Sequence, residues 1–264
     1  MKASTARVLL TGATGGIGQA AARQLAQAGA ALMLVGRSPA RLSALARELA
    51  QRTQRPADQF GWHATDLNDP AALNTLATAA ATWGANVVIH NAGLPSFGAL
   101  GSVPAHAMQQ VLQTNLLAPM LLTQALLPHL RALPQAQVVC VGSALGRLGL
   151  PGFSVYSASK FGLRGFAEAL RRELAGTSVR VQYFAPRSTR TEFNNASVDA
   201  YNQATGTRTD SAQQVATALL QLLESGAAES FLGFPEKLAV RLNGLVPEWL
   251  DGSFKKHRNS LPAA

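Results

Sequence analysis

A tyrosine and a lysine stand four positions apart in the stretch YSASK, from Tyr156 to Lys160. A free tyrosine has a pKa of about 10, so it is a poor acid–base group near neutral pH. Positions i and i+4 of a helix share one face, which would bring the ammonium close to the phenol and lower the tyrosine pKa. The spacing therefore predicts a tyrosine tuned for proton transfer. A chance pair on a surface helix is the commoner origin of such a string, but Ser143 at the end of the preceding apolar run argues against chance.

The glycine-rich stretch TGATGGIG, residues 11–18, follows one apolar run and opens a helical pattern. Glycines let the backbone turn tightly and approach a pyrophosphate at a helix N-terminus. An ordinary glycine turn is the alternative, but this position in a strand–helix–strand unit is typical of dinucleotide sites. The residues predicted to contact the cofactor here are Gly12, Thr14, Gly15, Gly16, Ile17 and Gly18.

The end of the second apolar run predicts which dinucleotide binds. NAD sites commonly have Asp or Glu at this point, where it holds the ribose 2′-hydroxyl. This chain has Gly36 and Arg37 there, and the next carboxylate is Glu48. Because a guanidinium pairs well with a phosphate dianion, Arg37 predicts that NADP(H) is preferred over NAD(H). A solvated arginine at the start of a helix is the alternative.

Alternating apolar runs and helical patterns supply the elements that would position these residues. The apolar runs are continuous, which indicates strands buried on both faces, as in a parallel sheet. The sequence predicts an α/β fold with a doubly wound, Rossmann-type parallel sheet, helices on both faces and three α/β/α layers. The predicted strands are 7–11, 31–36, 60–66, 86–93, 136–143 and 178–186, and the predicted helices are 17–29, 38–52, 69–83, 104–133 and one that carries Tyr156 and ends near 175.

The chain shows no repeat and no linker, so we expect one domain over residues 1–264. Residues 187–210 are polar and poor in large apolar side chains, which predicts a mobile lid without regular structure over the site. Residues 235–264 form a C-terminal extension, in which 236–246 has an amphipathic helical pattern. We expect this extension to pack near the substrate mouth or a partner subunit, and interfacial membrane contact is the alternative.

Composition narrows the class of protein. The chain of 264 residues is 47% hydrophobic, which suits a globular domain with a large core. Its single cysteine, Cys140, excludes an internal disulfide, and the short N-terminal apolar run does not resemble a signal peptide, so we expect a cytoplasmic protein. The histidines show no metal-ligand spacing, so no metal is expected. The net charge of +9 is scattered apart from KKHR at 255–258, which favours a solvated surface over nucleic-acid binding.

The order and spacing of several motifs resemble the short-chain dehydrogenase/reductase family over roughly residues 5–235. These motifs are TGATGGIG, Asp66–Leu67, NAG at 91–93, Asn115 within QTNLLAP, Ser143 within VVCVGS, and YSASK. The resemblance implies hydride transfer between NAD(P) and an alcohol or carbonyl. It also implies cofactor contacts by Asp66 near the adenine, Asn91 beside the adenosine ribose and Thr191 at the nicotinamide carboxamide. Further contacts implied in this way involve Leu67, Ala92, Gly93, Tyr156, Lys160 and Pro186.

The same resemblance implies a catalytic tetrad of Asn115, Ser143, Tyr156 and Lys160. Tyr156 would donate a proton to the carbonyl oxygen, and Ser143 would hydrogen-bond that oxygen. Lys160 would also hold the nicotinamide ribose, and Asn115 would stabilise a water that refills the proton relay. A non-catalytic NADP-binding sensor or scaffold with the same fold is the alternative, and the complete tetrad favours the enzyme.

The substrate and the partner subunits are less determined. The family usually has glycine after the proline that ends the sixth strand, and this chain has Arg187. Together with Arg190 and Arg208 it suggests an anionic substrate or carrier, such as an acyl thioester, although solvated arginines explain these residues equally well. The family often dimerises through the helix of the tyrosine. A small-residue face on that helix predicts a homodimer or homotetramer, and it consists of Gly162, Gly165 and Ala169.

Overall fold

The centre of the protein is a parallel sheet, built from strands that are almost wholly buried. The computed structural model describes residues 1–233, 243–244, 248 and 251–261. Its strands are β1 (Arg7–Thr11), β2 (Ala31–Gly36), β3 (Phe60–Ala64), β4 (Val87–His90), β5 (Ala136–Val141), β6 (Val179–Ala185), β7 (Thr189–Arg190), β8 (Asp210–Ser211) and β9 (Glu229–Phe231). The main sheet has the order β3-β2-β1-β4-β5-β6-β9, and β7 pairs with β8 separately. The order reverses between β1 and β4, where a doubly wound sheet opens a crevice for ligands.

Helices cover both faces of the main sheet. The α-helices of the described residues are α1 (Gly16–Gln27), α2 (Pro39–Thr53), α3 (Pro70–Trp83), α4 (Ala105–Leu112), α5 (Ala118–Ala132), α6 (Ser154–Glu173), α7 (Ala196–Thr205), α8 (Ala212–Ser225) and α9 (Lys255–Asn259). One apolar core lies between the sheet and α1, α2 and α8, and a second lies between the sheet and α3, α5 and α6. Adjacent residues of β1 contribute side chains to the two cores: Leu10 lies in the first core and Leu9 in the second. The predicted three-layer, Rossmann-type α/β/α fold is confirmed.

Side chains just before the helices fix where two of them begin. The Ser38 hydroxyl accepts a hydrogen bond from the Arg41 amide at 3.3 Å, and Pro39 is the first residue of α2, as predicted. Asp69 caps α3 by accepting from the Ala71 amide at 2.9 Å. These caps satisfy amides that have no partner within the helix. The N-terminal ends of α2 and α3 are therefore set by local sequence.

Three strands end two or three residues earlier than predicted. The predicted spans 60–66, 86–93 and 136–143 become β3, β4 and β5, which end at Ala64, His90 and Val141. The residues that follow, such as 91–93, leave the sheet and line a cleft at its carboxyl edge. The apolar runs were therefore predicted correctly as strands, but their last residues belong to the ligand site.

The segment 187–210 contains regular structure, so the prediction of a structureless stretch is wrong. The Asn195 side chain accepts from the Val198 amide at 3.0 Å and caps α7. Val198 and Tyr201 are buried on one face of this helix, and Gly206 ends it with a φ of +72°. Two buried side chains are enough to anchor a short helix that composition alone does not indicate. Mobility of the segment stays a prediction.

The small-residue face of α6 packs within the subunit at Gly162 and is open at Gly165. A Cβ on Gly162 would lie 2.8 Å from a methyl carbon of Leu116, so this glycine permits close packing within the subunit. Gly165 faces open space, and Phe161 on the same helix is 42% exposed. Association with a second copy through this face stays a prediction.

Most of the predicted C-terminal helix at 236–246 lies outside the described residues. The KKHR run is described and lies on α9. His257 of this helix packs against Tyr201, with ring centroids 5.8 Å apart. Among the described residues, no helix combines the length and apolar character that crossing a membrane requires.

We expect His90, at the end of β4, to make stability depend on pH. It is buried, its Nε2 lies 2.8 Å from the Thr123 hydroxyl, and burial lowers its pKa from 6.5 to about 4. The unfolded chain therefore takes up this proton first as pH falls, so we expect stability to be lost between pH 6.5 and pH 4. The contribution is roughly 3 kcal/mol over that window.

Urea unfolding of the wild type and His90→Gln, compared at several pH values, measures this contribution. The variant should show a smaller loss of unfolding free energy between pH 6.5 and pH 4, because it lacks the group that titrates. Identical pH slopes in the two proteins would show that His90 does not cause the acid sensitivity.

Candidate active site

A cleft of about 480 Å³ opens at the carboxyl ends of β1, β4 and β5. All the residues predicted to contact a cofactor line it, and so do Ser143, Tyr156 and Lys160. Asn115 is fully buried behind the wall of the cleft. The structure thus brings together residues from seven separate stretches of the sequence around the cleft, with Asn115 behind it. Among the described residues, no group of three or more His, Cys, Asp or Glu side chains could hold a metal ion.

The glycine loop between β1 and α1 is packed too closely for side chains. Gly12 has a φ of +63°, and a Cβ there would lie 2.7 Å from the Cα of Ala92. A Cβ on Gly18 would collide with the carbonyl oxygen of Gly12. A Cβ on Gly16 would collide with Thr191, which reaches over the loop from the segment after β7. Bare backbone at the N-terminus of α1 fits the pyrophosphate of a dinucleotide.

Asn91 braces this loop from the neighbouring strand. Its side-chain amide donates to the carbonyl oxygens of Thr11 and Gly12, both at 3.1 Å. In return, the Thr11 hydroxyl accepts from the amides of Asn91 and Ala92 at 3.0 and 3.1 Å. The implied ribose contact of Asn91 stays a prediction, and the contacts formed here hold the ends of β1 and β4 together. Thr11 was missed because its partners are about eighty residues away in the sequence.

Two arginines, rather than one, line the cleft beyond the end of β2. Arg37 is exposed there, as the sequence predicts, and Asp66 lines the cleft after β3. Arg41 lies in the first turn of α2, four residues after Arg37, and donates to the Thr14 carbonyl at 2.8 Å. Arg41 was missed, although it stands in the first turn of the predicted helix that follows Arg37. The two guanidinium groups give this part of the cleft a positive charge.

Tyr156 and Lys160 lie on one face of α6. The Lys160 Nζ is 5.7 Å from the centre of the Tyr156 ring and donates to the Val141 carbonyl at 3.0 Å. Ser143 lies two residues after the end of β5, where its hydroxyl accepts from the Leu145 amide at 3.1 Å. Burial lowers the pKa of Lys160 to about 8. Tyr156 and Lys160 are therefore placed together as predicted, next to Ser143.

The predicted lowering of the Tyr156 pKa is wrong for the protein without ligand. Burial raises the pKa of Tyr156 to about 12, and the hydrogen bond with Ser143 opposes this only in part. Desolvation disfavours the phenolate, and the ammonium of Lys160 is directed to the Val141 carbonyl. Tyr156 is consequently a neutral phenol at physiological pH, which is the form that can donate a proton.

Asn115 lies in a π-helical turn, Gln113–Leu117, that interrupts the predicted long helix between α4 and α5. Such turns are frequent at functional sites. The Asn115 amide nitrogen donates to the Leu94 carbonyl at 3.0 Å and to the Ser159 hydroxyl at 3.1 Å, and its oxygen accepts from the Leu94 amide at 2.7 Å. Both side-chain donors are thus used to hold the loop after β4 against α6. The implied role with a water molecule stays a prediction.

Tyr183 of β6 is a residue that the sequence did not single out. Its hydroxyl donates to the Ser143 carbonyl at 3.2 Å and accepts from the Ser143 amide at 3.3 Å. A Cβ on Gly142 or on Gly146 would collide with the Tyr183 ring or hydroxyl. The two glycines therefore make room for a phenol that holds the backbone of Ser143. Only the register between β5 and β6 reveals this contact.

Arg187, the departure from the family pattern, forms an ion pair within the protein. Its Nη2 and Nε donate to the two Asp210 carboxylate oxygens at 2.6 and 3.0 Å, and both side chains are mostly buried. Arg190 donates to the carbonyl and hydroxyl of Thr209 at 3.0 Å. These contacts join β7 to β8. The suggestion that Arg187 and Arg190 bind an anionic substrate is therefore weakened, because each already has an internal partner.

Comparison with known proteins agrees with this geometry. Residues 6–202 match the model of the short chain dehydrogenase family. The protein named dehydrogenase/reductase SDR family member 7B is 36% identical in mouse over 184 residues, which are 68% of this chain and 56% of that protein. The bovine protein of that name is 34% identical over 252 residues, which are 91% of this chain and 77% of that protein.

Two further similar proteins have names that state an activity or a bound cofactor. Sulfoacetaldehyde reductase 2 of Chromohalobacter salexigens is 37% identical over 194 residues, covering 70% of this chain and 73% of that protein. The solved structure of a short-chain dehydrogenase from Sphingobium yanoikuyae in complex with NADPH has a TM-score of 0.77, with 25% identity over 92% of this chain and 96% of that chain. The family match, the identity to the relatives and the shared fold show that the chain belongs to the short-chain dehydrogenase/reductase family of oxidoreductases.

Proposed function

We propose that this protein is an NADPH-dependent reductase of aldehydes or ketones. The observation that carries the proposal is the meeting of Ser143, Tyr156 and Lys160 in the cleft that the glycine loop also lines. Close-packed glycines at the N-terminus of α1 fit the pyrophosphate of a nicotinamide dinucleotide. When bound, NADPH supplies the hydride that reduces the carbonyl carbon.

The side chains of the cleft supply the proton and the orientation of the substrate. The Tyr156 phenol is protonated at neutral pH and donates its proton to the carbonyl oxygen. The Ser143 hydroxyl donates a second hydrogen bond to that oxygen and so stabilises the negative charge that develops there. Lys160 holds the nicotinamide ribose, and Asn115 keeps Leu94 and Ser159 in place behind the site.

A direct assay tests the proposed function. The purified protein is mixed with NADPH and a panel of aldehydes and ketones, and the alcohol products are identified by mass spectrometry. We expect alcohol to form in a one-to-one ratio with NADPH consumed. Tight NADPH binding without product from any carbonyl compound would reject the reductase and support a non-catalytic NADP-binding protein.

The preference for NADPH rests on Arg37 and Arg41. Both line the cleft after β2, where a carboxylate would favour NAD by binding the ribose 2′-hydroxyl. The NADPH complex of the Sphingobium yanoikuyae relative supports the same choice. We therefore expect NADPH to bind about 10- to 100-fold more tightly than NADH, since a charge-assisted phosphate contact is worth roughly 1.5–3 kcal/mol.

Dissociation constants measured by titration calorimetry check this preference. The double variant Arg37→Ala, Arg41→Ala should lose most of its affinity for NADPH and keep its affinity for NADH. Arg47→Ala is the matched control, because Arg47 is an exposed arginine of α2 that does not line the cleft. Equal affinities of the wild type for the two dinucleotides would contradict the preference.

A further inference from the structure

Three aromatic rings form part of the cleft wall. Ring centroids are 4.8 Å apart for Phe97 and Phe153, 5.0 Å for Phe97 and Tyr201, and 5.6 Å for Phe153 and Tyr201. We call these three residues the aromatic wall, and all of them line the cleft. The Tyr201 hydroxyl donates to the Pro151 carbonyl at 3.2 Å, so its polar atom already has a backbone partner. The aromatic wall therefore offers apolar ring surface to a ligand.

Apolar side chains also surround the proposed proton donor. Phe193 meets the Tyr156 ring edge to face, with centroids 6.0 Å apart, and is 38% exposed. Gly152 lets Phe97 and Leu261 approach closely, so the described C-terminal residues help to enclose the aromatic wall. The remaining apolar side chains that line the cleft include Leu94, Leu145, Leu148, Leu150 and Val198.

Charged groups in the cleft do not favour an anionic substrate near Tyr156. The charged residues among its described lining are Arg37, Arg41, Asp66, Lys160, Arg187 and Glu192. The two arginines after β2 lie where the nucleotide is proposed to bind. Arg187 is neutralised by Asp210, and Lys160 is directed to the Val141 carbonyl. Glu192 adds an exposed carboxylate next to Phe193.

Resting on the proposed reductase function, we propose that the substrate is a neutral aldehyde or ketone that carries an aryl or similarly bulky apolar group. Ring stacking and burial of apolar surface against the aromatic wall would hold that group. A carboxylate or sulfonate in the same place would lose its hydration, and among the described residues the cation nearest to Tyr156, Lys160, already donates to the Val141 carbonyl. The name of the Chromohalobacter salexigens relative suggests a small anionic aldehyde for that protein, and the lining of this cleft favours a different class here.

Matched aldehydes test the substrate class. 4-Methylbenzaldehyde and 4-carboxybenzaldehyde have the same ring and reacting group and differ in charge, and sulfoacetaldehyde serves as the small anionic probe. With saturating NADPH, we expect kcat/KM for the methyl compound to exceed that for either anion by about 100-fold or more. Equal or higher kcat/KM for either anionic aldehyde would overturn the proposal.

A variant of the aromatic wall tests where the aryl group binds. Phe97→Ala should lower kcat/KM for 4-methylbenzaldehyde by at least about 10-fold more than it lowers kcat/KM for propanal. Phe166→Ala is the matched control, since Phe166 is a partly buried phenylalanine of α6 that packs against the core and does not line the cleft. Equal losses for the two aldehydes in Phe97→Ala would show that the aromatic wall does not hold the aryl group.

Equilibrium binding separates failure of this proposal from failure of the reductase function. If none of the aldehydes is reduced, the reductase proposal fails, and the ligand class is measured on the NADPH complex instead. 4-Methylbenzyl alcohol should then bind more tightly than 4-(hydroxymethyl)benzoate, as detected by a change in NADPH fluorescence. Tighter or equal binding of the benzoate would overturn the preference for a neutral apolar ligand.

Discussion

Replacing Tyr156 by phenylalanine is expected to lower turnover by a factor on the order of 10² or more, the usual worth of a positioned general acid. The substitution keeps the ring, which packs against Phe193, and removes only the hydroxyl. Because the hydroxyl is the proposed proton donor, kcat should fall while the dissociation constant of NADPH changes little. Steady-state kinetics with a reducible aldehyde and a separate NADPH titration measure the two effects.

Tyr201→Phe is the comparison for this experiment. It also removes a phenol hydroxyl from a residue that lines the cleft, but that hydroxyl is bound to the Pro151 carbonyl. We expect a much smaller loss of kcat than in Tyr156→Phe. Full activity of Tyr156→Phe on a verified substrate would reject the proposed mechanism, however well the motif matches the family.

The acidity of Tyr156 shows what spacing cannot predict. The i+4 spacing correctly places Lys160 near Tyr156, because helix geometry is local. The pKa depends instead on burial by surrounding residues and on the partner that the lysine selects. Here burial raises the tyrosine pKa, and the ammonium donates to Val141 in the adjacent strand. A raised pKa keeps the phenol protonated at neutral pH but makes it a weaker acid, so proton donation is less favourable than the spacing alone predicts.

The parts of the fold that were predicted correctly are those with strong local signals. Continuous apolar runs gave β1 and β2 with the predicted bounds, and Ser38 with Pro39 gave the start of α2. The helix α7 was missed because its buried residues, Val198 and Tyr201, stand in a polar stretch and acquire an apolar environment only through tertiary packing.

In the candidate site too, the residues in contiguous motifs were predicted, and the contacts between distant residues were not. The glycine loop and YSASK are contiguous motifs, so their residue types and spacing were visible in the sequence. The contact of Tyr183 with Ser143 spans 40 residues, and the pair of Arg187 with Asp210 spans 23. Such contacts depend on strand register and on the path of the segment after β6. They required the structure, and the second of them changed the expected charge of the substrate.

Replacing Lys160 by methionine is expected to damage both cofactor binding and turnover. Lys160 is buried in the cleft wall, and methionine retains a long side chain of similar volume without the charge. The ribose contact and the positive charge near Tyr156 would both disappear. We expect kcat to fall about 100-fold or more and the NADPH dissociation constant to rise about 10-fold or more. Tyr156→Phe should change only the first of these quantities.

An unchanged NADPH dissociation constant in Lys160→Met would show that Lys160 does not hold the nicotinamide ribose. General unfolding of the variant is a separate explanation for lost activity, and the free energy of unfolding distinguishes it. A damaged fold should lower that free energy at every pH. Loss of the buried Lys160 ammonium should instead change how the free energy of unfolding depends on pH, and only within one pH range.

The sign of that dependence follows from the lowered pKa. Below about pH 8 the folded and unfolded chains both hold the Lys160 proton, so the cost of burying the cation is fully present. Between about pH 8 and pH 10 the folded protein releases this proton while the unfolded chain keeps it, so stability rises with pH. In the cofactor-free wild type, this contribution should approach roughly 3 kcal/mol, and Lys160→Met should lack it. Parallel stability curves for the two proteins across this window would mean that burial of Lys160 does not lower its pKa.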